Sequence, residues 1–234
     1  MAEAAEPGPG PVVVGRDVWK VYGEGETSVS ALKGVSVEIR RGEMVAIMGP
    51  SGCGKTTLLN CFSGLDDATR GAILLEGVDF HSLNDKKKSD YRARREGFIF
   101  QSYNLLPTLT AEENVEMPLL ITGVKGREAR ARARQILTEL GLADRLDRRP
   151  AELSGGQQQR VSLARALVGH PAIVWADEPT GNLDEAGSRQ VVELFRQLNR
   201  TYAQTIVLVT HDPHVAAASD RTLHMEDGRF VPPG

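Results

Sequence analysis

The chain has 234 residues, of which 41% are hydrophobic, and it carries a formal net charge of -3 at pH 7. A chain of this length can form one substantial core with a smaller lobe, and its balance of charge argues against a dedicated nucleic-acid binder, whose domains are usually strongly basic. The longest apolar runs have about six residues, far fewer than the ~20 that a membrane-spanning helix needs.

The N-terminal residues have the composition of a flexible leader. Residues 1–6 are acidic and residues 7–11 alternate proline with glycine, so this segment does not resemble a secretory signal peptide. We predict a flexible leader over residues 1–11, a single domain over residues 12–234, and a cytoplasmic location.

Two β-rich segments follow the leader. They cover residues 12–21 and 29–40, on either side of a turn at residues 24–26. A third short segment of this kind covers residues 71–75. The N-terminal part of the domain is therefore expected to be rich in β-strands.

A glycine-rich loop lies between a predicted buried strand, residues 43–48, and a predicted helix, residues 55–63. Residues 49–56 read Gly-Pro-Ser-Gly-Cys-Gly-Lys-Thr and fit the phosphate-loop pattern G-x-x-x-x-G-K-[ST]. Glycines let the backbone amides turn inward around an anion at a helix N-terminus, where the helix dipole favours negative charge. Lys55 is expected to bridge the β- and γ-phosphates of a nucleotide, and the Thr56 hydroxyl to hold Mg²⁺. The alternative, a glycine turn beside a surface lysine, is disfavoured by the strand-loop-helix frame.

Residues 102–167 are predicted to form a helical subdomain. Ala129, Ala133, Ile136 and Leu140 recur at the spacing of one helix face and predict an apolar stripe.

A basic cluster in two parts precedes this region. Residues 86–88 are lysines, and three of the four residues 92–95 are arginines. They could face lipid headgroups or a partner, or they could form an ordinary solvated surface, and the sequence leaves their role open.

Two adjacent carboxylates follow a predicted core strand. Residues 173–176 are apolar, and Asp177 and Glu178 come at the carboxyl end of this strand, the edge at which open α/β sheets bind ligands. We expect Asp177 to reach Mg²⁺ and Glu178 to accept a proton from the water that attacks the γ-phosphate. A solvated turn ahead of Pro179 is the alternative. Trp175 is expected to pack in the core, and it could also report on nucleotide state.

Two polar residues follow other short strands. His211 ends the predicted strand 205–210, and Gln101 follows the strand-like residues 97–100. A lone histidine is more often structural than functional, and a glutamine here is an ordinary loop residue. The residues alone therefore assign no role to either.

Taken together, these motifs resemble the ATP-binding cassette (ABC) ATPases. The phosphate loop is followed far downstream by Leu153 and a Ser-Gly-Gly-Gln sequence at residues 154–157, and then by the paired acids. The resemblance runs from about Val12 to Phe230. It implies an α/β fold with a P-loop NTPase core sheet, an antiparallel β subdomain and a helical signature subdomain, and it implies ATP and Mg²⁺ as cofactors.

The resemblance also implies roles for single residues. His211 matches the switch histidine that contacts the γ-phosphate and helps to orient Glu178, and Gln101 matches the glutamine that touches Mg²⁺ and the attacking water. Tyr22 matches the aromatic residue on which adenine stacks, although Trp19 is a competing candidate. The expected nucleotide-binding residues of this half-site are Tyr22, Gly49, Pro50, Ser51, Gly52, Cys53, Gly54, Lys55, Thr56 and Thr57.

The signature sequence implies an assembly of two chains. It begins a predicted helix and so offers a second phosphate-binding surface, although the phosphate loop of the same chain already holds a nucleotide. In the resembled family, a second copy completes the site head to tail with two ATP molecules between the copies, and Asp184, in the loop of residues 181–184, belongs to the segment that couples the sites. The residues expected to act across this interface are Ser154, Gly155, Gly156, Gln157 and Asp184.

Residues 98–107, 109–115 and 179–184 resemble the ATPase subunits of macrolide-export, lipoprotein-release and antimicrobial-peptide-resistance systems. Those subunits work with a separate integral membrane permease, which implies a peripheral position on the cytoplasmic face of the cell membrane. The candidate docking residues, which could instead pack inside the helical lobe, are Tyr103, Leu105 and Leu106.

The leading functional hypothesis is an ATP-hydrolysing transporter subunit that drives a permease by ATP-dependent dimerisation, in export, extraction or mechanotransmission. Two alternatives remain, a non-transport ABC ATPase acting on DNA or ribosomes and a regulatory ATPase of the cell-division type. We expect no nucleic-acid partner.

Overall fold

A computed structural model describes residues 10–232. Residues 1–9 of the predicted leader lie outside the described residues, and the first strand begins at Pro11. The strands are β1 (Pro11–Tyr22), β2 (Val29–Arg40), β3 (Met44–Met48), β4 (Arg70–Leu75), β5 (Val78–Asp79), β6 (Glu96–Phe100), β7 (Ile173–Asp177), β8 (Thr205–Thr210), β9 (Arg221–Glu226) and β10 (Arg229–Val231). The helices are α1 (Lys55–Phe62), α2 (Asp85–Arg95), α3 (Ala111–Ile121), α4 (Gly126–Glu139), α5 (Gly155–Leu167), α6 (Glu185–Tyr202) and α7 (Pro213–Ala216).

The strands form two sheets. The N-terminal sheet is antiparallel, in the order β2-β1-β4-β5. The core sheet has the order β10-β9-β3-β8-β7-β6, and all of its neighbours are parallel except the pair β9 and β10. The predicted fold class, an α/β core with an antiparallel subdomain, is confirmed.

The core sheet is covered on both faces, which explains the uninterrupted apolar runs of its central strands. Every residue of β8 is buried, and so are four of the five residues of β3 and of β7. Because β3, β6, β7 and β8 run parallel, their carboxyl ends lie at one edge of the sheet. The phosphate loop, Gln101, the paired acids and His211 each follow one of these four ends.

Helices α3, α4 and α5 form a lobe beside the core sheet. Ala129, Ala133 and Leu137 of α4 are fully buried, whereas Ile136 is only partly buried, so the apolar stripe includes Leu137 in addition to the predicted residues. The first α-helix of the lobe begins at Ala111 rather than near residue 102. Its start is fixed by a capping box in which Thr110 and Glu113 bond each other's backbone N–H.

Several side chains of the basic cluster at residues 86–95 are held within the chain. Lys88 forms an ion pair with Asp67, Arg95 pairs with Glu76, and Arg92 donates to the Gly64 carbonyl. These side chains fasten α2 to its surroundings, so the cluster is not simply a basic surface free to meet lipid. None of the helices within residues 10–232 is long and apolar enough to span a membrane.

Candidate nucleotide site

The phosphate loop has the backbone shape of an anion cradle. Gly54 is the N-cap of α1 with φ of 105°, and Gly52 has φ of 78° with open space where a Cβ would lie. At Gly54 a Cβ would come within 2.5 Å of the Ala31 carbonyl oxygen. Both positions therefore require glycine, and the open side of the loop leaves room for phosphate oxygens.

Lys55 lies across the loop and is only 9% exposed. Its Nζ donates to the carbonyls of Gly49 at 2.8 Å and Pro50 at 2.9 Å. Fully charged phosphate oxygens are stronger acceptors than these carbonyls. The lysine is thus held where a phosphate on the loop would reach it.

The hairpin of β9 and β10 supports the back of the loop. The Gly228 N–H donates to the Cys53 carbonyl at 2.9 Å, and the Lys33 N–H of β2 donates to the Gly228 carbonyl at 2.9 Å. A Cβ at Gly49 would lie 2.1 Å from the Met225 carbonyl oxygen, so the loop packs directly on the hairpin. These contacts fix the cradle between the two sheets.

Two oxygen ligands suited to Mg²⁺ meet beside the loop. The Thr56 hydroxyl lies 3.3 Å from Asp177 Oδ1. Burial raises the pKa of Asp177, and the Thr56 hydrogen bond opposes that rise. No group of three or more His, Cys, Asp or Glu side chains that could hold a metal occurs among residues 10–232. Mg²⁺ usually takes only one or two carboxylates, with substrate phosphates and water, so one carboxylate and one hydroxyl fit this ion.

Glu178 and His211 meet at the ends of two adjacent strands. His211 Nδ1 lies 3.0 Å from both carboxylate oxygens of Glu178. Glu178 has φ of 46°, and its N–H donates to the Val209 carbonyl at 3.0 Å. A positive φ at a non-glycine residue is strained, and here it occurs at the residue whose carboxylate contacts His211.

Gln101 follows β6, where Phe100 pairs in register with Asp177. Its carbonyl accepts from Asn182 Nδ2 at 2.8 Å, and its side-chain Nε2 would lie 2.8 Å from a Cβ at Gly181. The glutamine is therefore brought beside the loop that follows the acids. Its contact with Mg²⁺ and water stays a prediction.

The two candidate adenine platforms have different surroundings. Trp19 donates its Nε1–H to Asp17 at 2.8 Å, and the Arg70 guanidinium lies 4.4 Å from its ring centroid. Tyr22 is 42% exposed. Burial and the acceptor Asp66 raise its pKa, whereas the hydroxyl of Thr57, in the first turn of α1, lowers it. Tyr22 thus lies beside the first turn of α1, which follows the phosphate loop, and the stacking of adenine on its ring stays a prediction.

The signature residues form the N-terminal end of α5. Ser154 is its N-cap, and Ser154 and Gln157 bond each other's backbone N–H in a capping box. Helix α5 packs mainly on α3, α4, α6 and β6, whereas α1 packs mainly on β1, β2, β7 and β8. The two helix N-termini are therefore separate surfaces of one chain, and the side chains of Ser154 and Gln157 already serve to cap the helix.

Asp184 is the N-cap of α6, and its Oδ1 accepts from the Gly187 N–H at 2.8 Å. Leu183 packs against the core and lies close to Gly155. The loop of residues 181–184 thus links the segment after β7 to α6 and lies close to the N-terminal end of α5.

The segment after Gln101 has residues in both predicted environments, the interior of the helical lobe and the exposed surface. Tyr103 packs beside Gly155, and Leu105 packs on the core, whereas Leu106 is exposed. Arg165 donates to the carbonyls of Tyr103 and Asn104. Next to this segment lies a groove of about 340 Å³, whose lining includes Phe98, Phe100, Pro118, Ile121 and Arg165.

Gln159 is a residue near the site that the motifs did not single out. It is buried on α5, and its Nε2 donates to the Pro179 carbonyl at 2.6 Å. This bond ties the signature helix to the turn directly after Glu178. The only feature of the sequence that points to Gln159 is its place two residues after Gln157. Its hydrogen-bond partner, Pro179, lies 20 positions away in the chain.

Trp175 packs in the core, as expected, and the structure adds a buried partner for its indole. Trp175 Nε1 donates to Glu96 Oε2 at 2.6 Å. Burial raises the pKa of Glu96 from its ordinary 4.5 to about 8, although the indole bond and Arg92 act to lower it. The folded protein therefore keeps this carboxyl protonated at neutral pH.

The raised pKa of Glu96 predicts a loss of stability as the pH rises. Above pH 4.5 the unfolded chain releases the proton that the fold retains, so stability falls as the pH rises from 4.5 towards about 8. Glu96→Gln keeps an acceptor for Trp175 but cannot ionise. Melting curves at pH 5 and pH 9 should show the variant gaining on the wild type as the pH rises, and an unchanged difference would contradict the assignment.

Comparison with known proteins finds the same family in a family model and in related proteins. A family model described as "ABC transporter" matches residues 32–181, more than half of the chain. The lipoprotein-releasing system ATP-binding protein LolD of Porphyromonas gingivalis is 48% identical, over 93% of this chain and 97% of that protein. The macrolide export ATP-binding/permease protein MacB of Marinobacter nauticus is 48% identical, over 95% of this chain but 34% of that longer protein.

The solved structures include a close match in fold. A dimeric ATP-binding cassette, MJ0796, in a post-hydrolysis state bound to ADP and Pi, superposes with a TM-score of 0.86. It is 41% identical in sequence, and the match covers 94% of this chain and 97% of that one.

Proposed function

The chain belongs to the ATP-binding cassette family of ATPases, and we propose that it drives a separate integral membrane permease through ATP-dependent dimerisation, in export, extraction or mechanotransmission. One observation carries the ATPase part of this proposal. Parallel strands of one sheet bring a phosphate cradle, a hydroxyl–carboxylate pair and a carboxylate–imidazole pair to the same edge.

Each residue at this edge has a separate proposed role in the transfer of a phosphoryl group to water. Lys55 and the loop amides hold the β- and γ-phosphates, and Tyr22 offers its ring to adenine. Thr56 and Asp177 would hold Mg²⁺, which when bound neutralises charge on the phosphates.

Glu178 is the proposed general base. Its carboxylate accepts the proton of the attacking water, and His211, at 3.0 Å from both carboxylate oxygens, orients it. Gln101 is proposed to touch Mg²⁺ and the same water from the neighbouring strand end.

A complete site requires two copies of the chain. The N-terminus of α5, formed by Ser154, Gly155 and Gly156, is separate from the phosphate loop of the same chain. A nucleotide on that loop therefore meets the α5 N-terminus of a second copy, which packs head to tail. The MJ0796 cassette is dimeric in its complex with ADP and Pi, which supports a dimer of this chain.

Ser154→Arg is expected to leave ATP binding to the single chain largely unchanged and to lower hydrolysis to near background. The arginine would occupy the exposed surface that must meet the partner's nucleotide, so the closed dimer cannot form. Nucleotide binding by calorimetry and steady-state hydrolysis measure the two effects separately.

The control for this variant must separate added charge and a lost helix cap from a blocked interface. Ser89→Arg adds the same charge at an exposed serine of α2, and thermal melting reports the lost cap, which is worth about 1 kcal/mol. Wild-type hydrolysis by a folded Ser154→Arg protein would refute the composite site.

The permease is proposed to dock at the groove beside β6. The groove is lined by Phe98, Phe100 and Ile121, and Ile121 is an apolar side chain that is 68% exposed. Leu106, which is 46% exposed, lies two residues after Asn104 of the same lining. The MacB relative is named as an ATP-binding and permease protein in one chain, which supports a permease as the partner. Docking there would hold this chain on the cytoplasmic face of the membrane.

Ile121→Asp is expected to reduce recovery of the permease at least about fivefold when the tagged chain is purified with native membranes, because a carboxylate would enter an apolar contact. Basal hydrolysis should be unchanged. Tyr202→Asp, at a 63% exposed residue outside the groove, is the matched control. Equal recovery of the permease with both variants would place the docking surface elsewhere.

A further inference from the structure

The loop that joins α1 to β4 holds Tyr22 by its hydroxyl. Asp66 Oδ2 accepts from the Tyr22 hydroxyl at 2.8 Å, and Asp66 Oδ1 accepts from Lys20 Nζ at 2.6 Å. Asp66 lies 44 residues from the tyrosine in sequence. One carboxylate therefore holds two side chains from the end of β1, although no motif of the nucleotide site includes it.

Lys20 adds a second constraint on the same ring. Its Nζ lies 4.7 Å from the Tyr22 ring centroid, and it also donates to the Asp67 carbonyl at 2.7 Å. Although burial acts in the opposite direction, the bonds from Lys20 and Tyr22 lower the pKa of Asp66. The carboxylate is thus charged at neutral pH, and the cation covers one face of the ring.

The acidic loop is itself fixed in place. The Asp67 N–H donates to Asp66 Oδ1 at 2.8 Å, and Lys88 of α2 pairs with the Asp67 carboxylate. Thr69 accepts from the Val21 N–H at 3.0 Å, next to the tyrosine in β1. The acceptor of the Tyr22 hydroxyl is therefore a rigid part of the fold.

We propose that Asp66 is a positioning residue for nucleotide binding, which holds the Tyr22 ring in the orientation that stacks on the purine base. This inference rests on the proposed stacking role of Tyr22. A half-exposed tyrosine loses rotamer freedom when a base stacks on it, and that loss weakens binding. A ring already fixed at its hydroxyl loses less, so Asp66 strengthens ATP binding without touching the nucleotide.

The test compares ATP with inorganic tripolyphosphate, which uses the phosphate loop but has no base. Calorimetry is carried out on the wild type, Tyr22→Ala, Tyr22→Phe, Asp66→Ala and the double variant Tyr22→Phe/Asp66→Ala. Tyr22→Phe is the decisive protein because it keeps the ring and the Lys20–Asp66 pair and removes only the hydroxyl. Asp66→Ala leaves Lys20 without that pair, so its folding is checked by thermal melting.

We expect Tyr22→Ala to weaken ATP binding about tenfold through lost stacking, and Tyr22→Phe and Asp66→Ala to weaken it about threefold each through lost positioning. The double variant should match the single ones, because both remove the same bond. Tripolyphosphate affinity should be unchanged in every variant. In hydrolysis, KM for ATP should rise while kcat stays constant.

The possible failures are distinguishable. If Tyr22→Ala loses ATP affinity but Tyr22→Phe does not, the stacking role holds and the inference about Asp66 is wrong. If Tyr22→Ala binds ATP as the wild type does, the stacking role fails and the inference falls with it. A parallel loss of tripolyphosphate affinity would show that Asp66 acts on the phosphate loop, which also overturns the proposal.

Discussion

Glu178→Gln is expected to lower kcat for ATP hydrolysis by about 100-fold or more, the loss typical of removing a general base. Glutamine keeps the size of the side chain and can still bond His211 Nδ1, but it cannot accept the proton of the attacking water. ATP binding should survive. Steady-state hydrolysis and calorimetric ATP affinity measure the two effects separately.

Glu38→Gln, at an exposed glutamate of β2, is the matched control and should hydrolyse ATP at the wild-type rate. Near-normal hydrolysis by Glu178→Gln would assign the base role elsewhere, towards a mechanism centred on His211. Failure of Glu178→Gln to bind ATP would mean that this carboxylate belongs to the metal site, and that the division of roles between Asp177 and Glu178 is wrong.

Lys55→Ala is expected to weaken ATP binding about 100-fold, because a charge-assisted bond to the phosphates is lost from a loop otherwise lined by amides. In the wild type the ammonium is held by two loop carbonyls, so its position does not have to be created when ATP arrives. Calorimetry with ATP measures the loss. Hydrolysis at fixed ATP should fall in parallel.

Lys86→Ala, at an exposed lysine of α2, removes the same charge away from the loop and should bind ATP normally. Because Lys55 is nearly buried, thermal melting must show that Lys55→Ala is folded. Unchanged ATP affinity in the folded variant would refute the assignment of the phosphate loop.

The sequence predicts best where the functional residues are adjacent in the chain. The phosphate loop and the pair Asp177 and Glu178 are contiguous, and short buried strands fix which edge of the sheet they reach. The contact between His211 and Glu178 spans 33 positions, and only the family resemblance made it an expectation.

The choice of aromatic residue and the partner of Trp175 could not be predicted from the sequence, because both depend on contacts between distant side chains. Tyr22 and Trp19 are equivalent aromatic residues in sequence, and each ring has a carboxylate partner and a cation over one face. They differ because Tyr22 lies beside Thr57 in the first turn of α1. The bond from Trp175 to Glu96 spans 79 positions, and a glutamate at the start of a strand gives no sign of it. Local propensity carries no information about such pairs.

Backbone strain was also hidden from the sequence. Tyr103 and Asn104 have positive φ, and their carbonyls accept hydrogen bonds from Arg165, which is more than 60 positions away. This turn lies within the region predicted as helical, and the first helix of the lobe begins only at Ala111. A periodic pattern of apolar residues indicates helices but does not show where tertiary contacts force a turn between them.

The central claim is that ATP joins two copies of this chain through composite sites, and the mass of Glu178→Gln in solution with ATP and Mg²⁺ tests it most directly. Because this variant binds ATP without cleaving it, analytical ultracentrifugation should show a dimer with ATP and a monomer without it. Addition of Ser154→Arg to the same chain should return it to a monomer that still binds ATP. A Glu178→Gln protein that binds ATP yet sediments as a monomer at micromolar concentration would contradict the account.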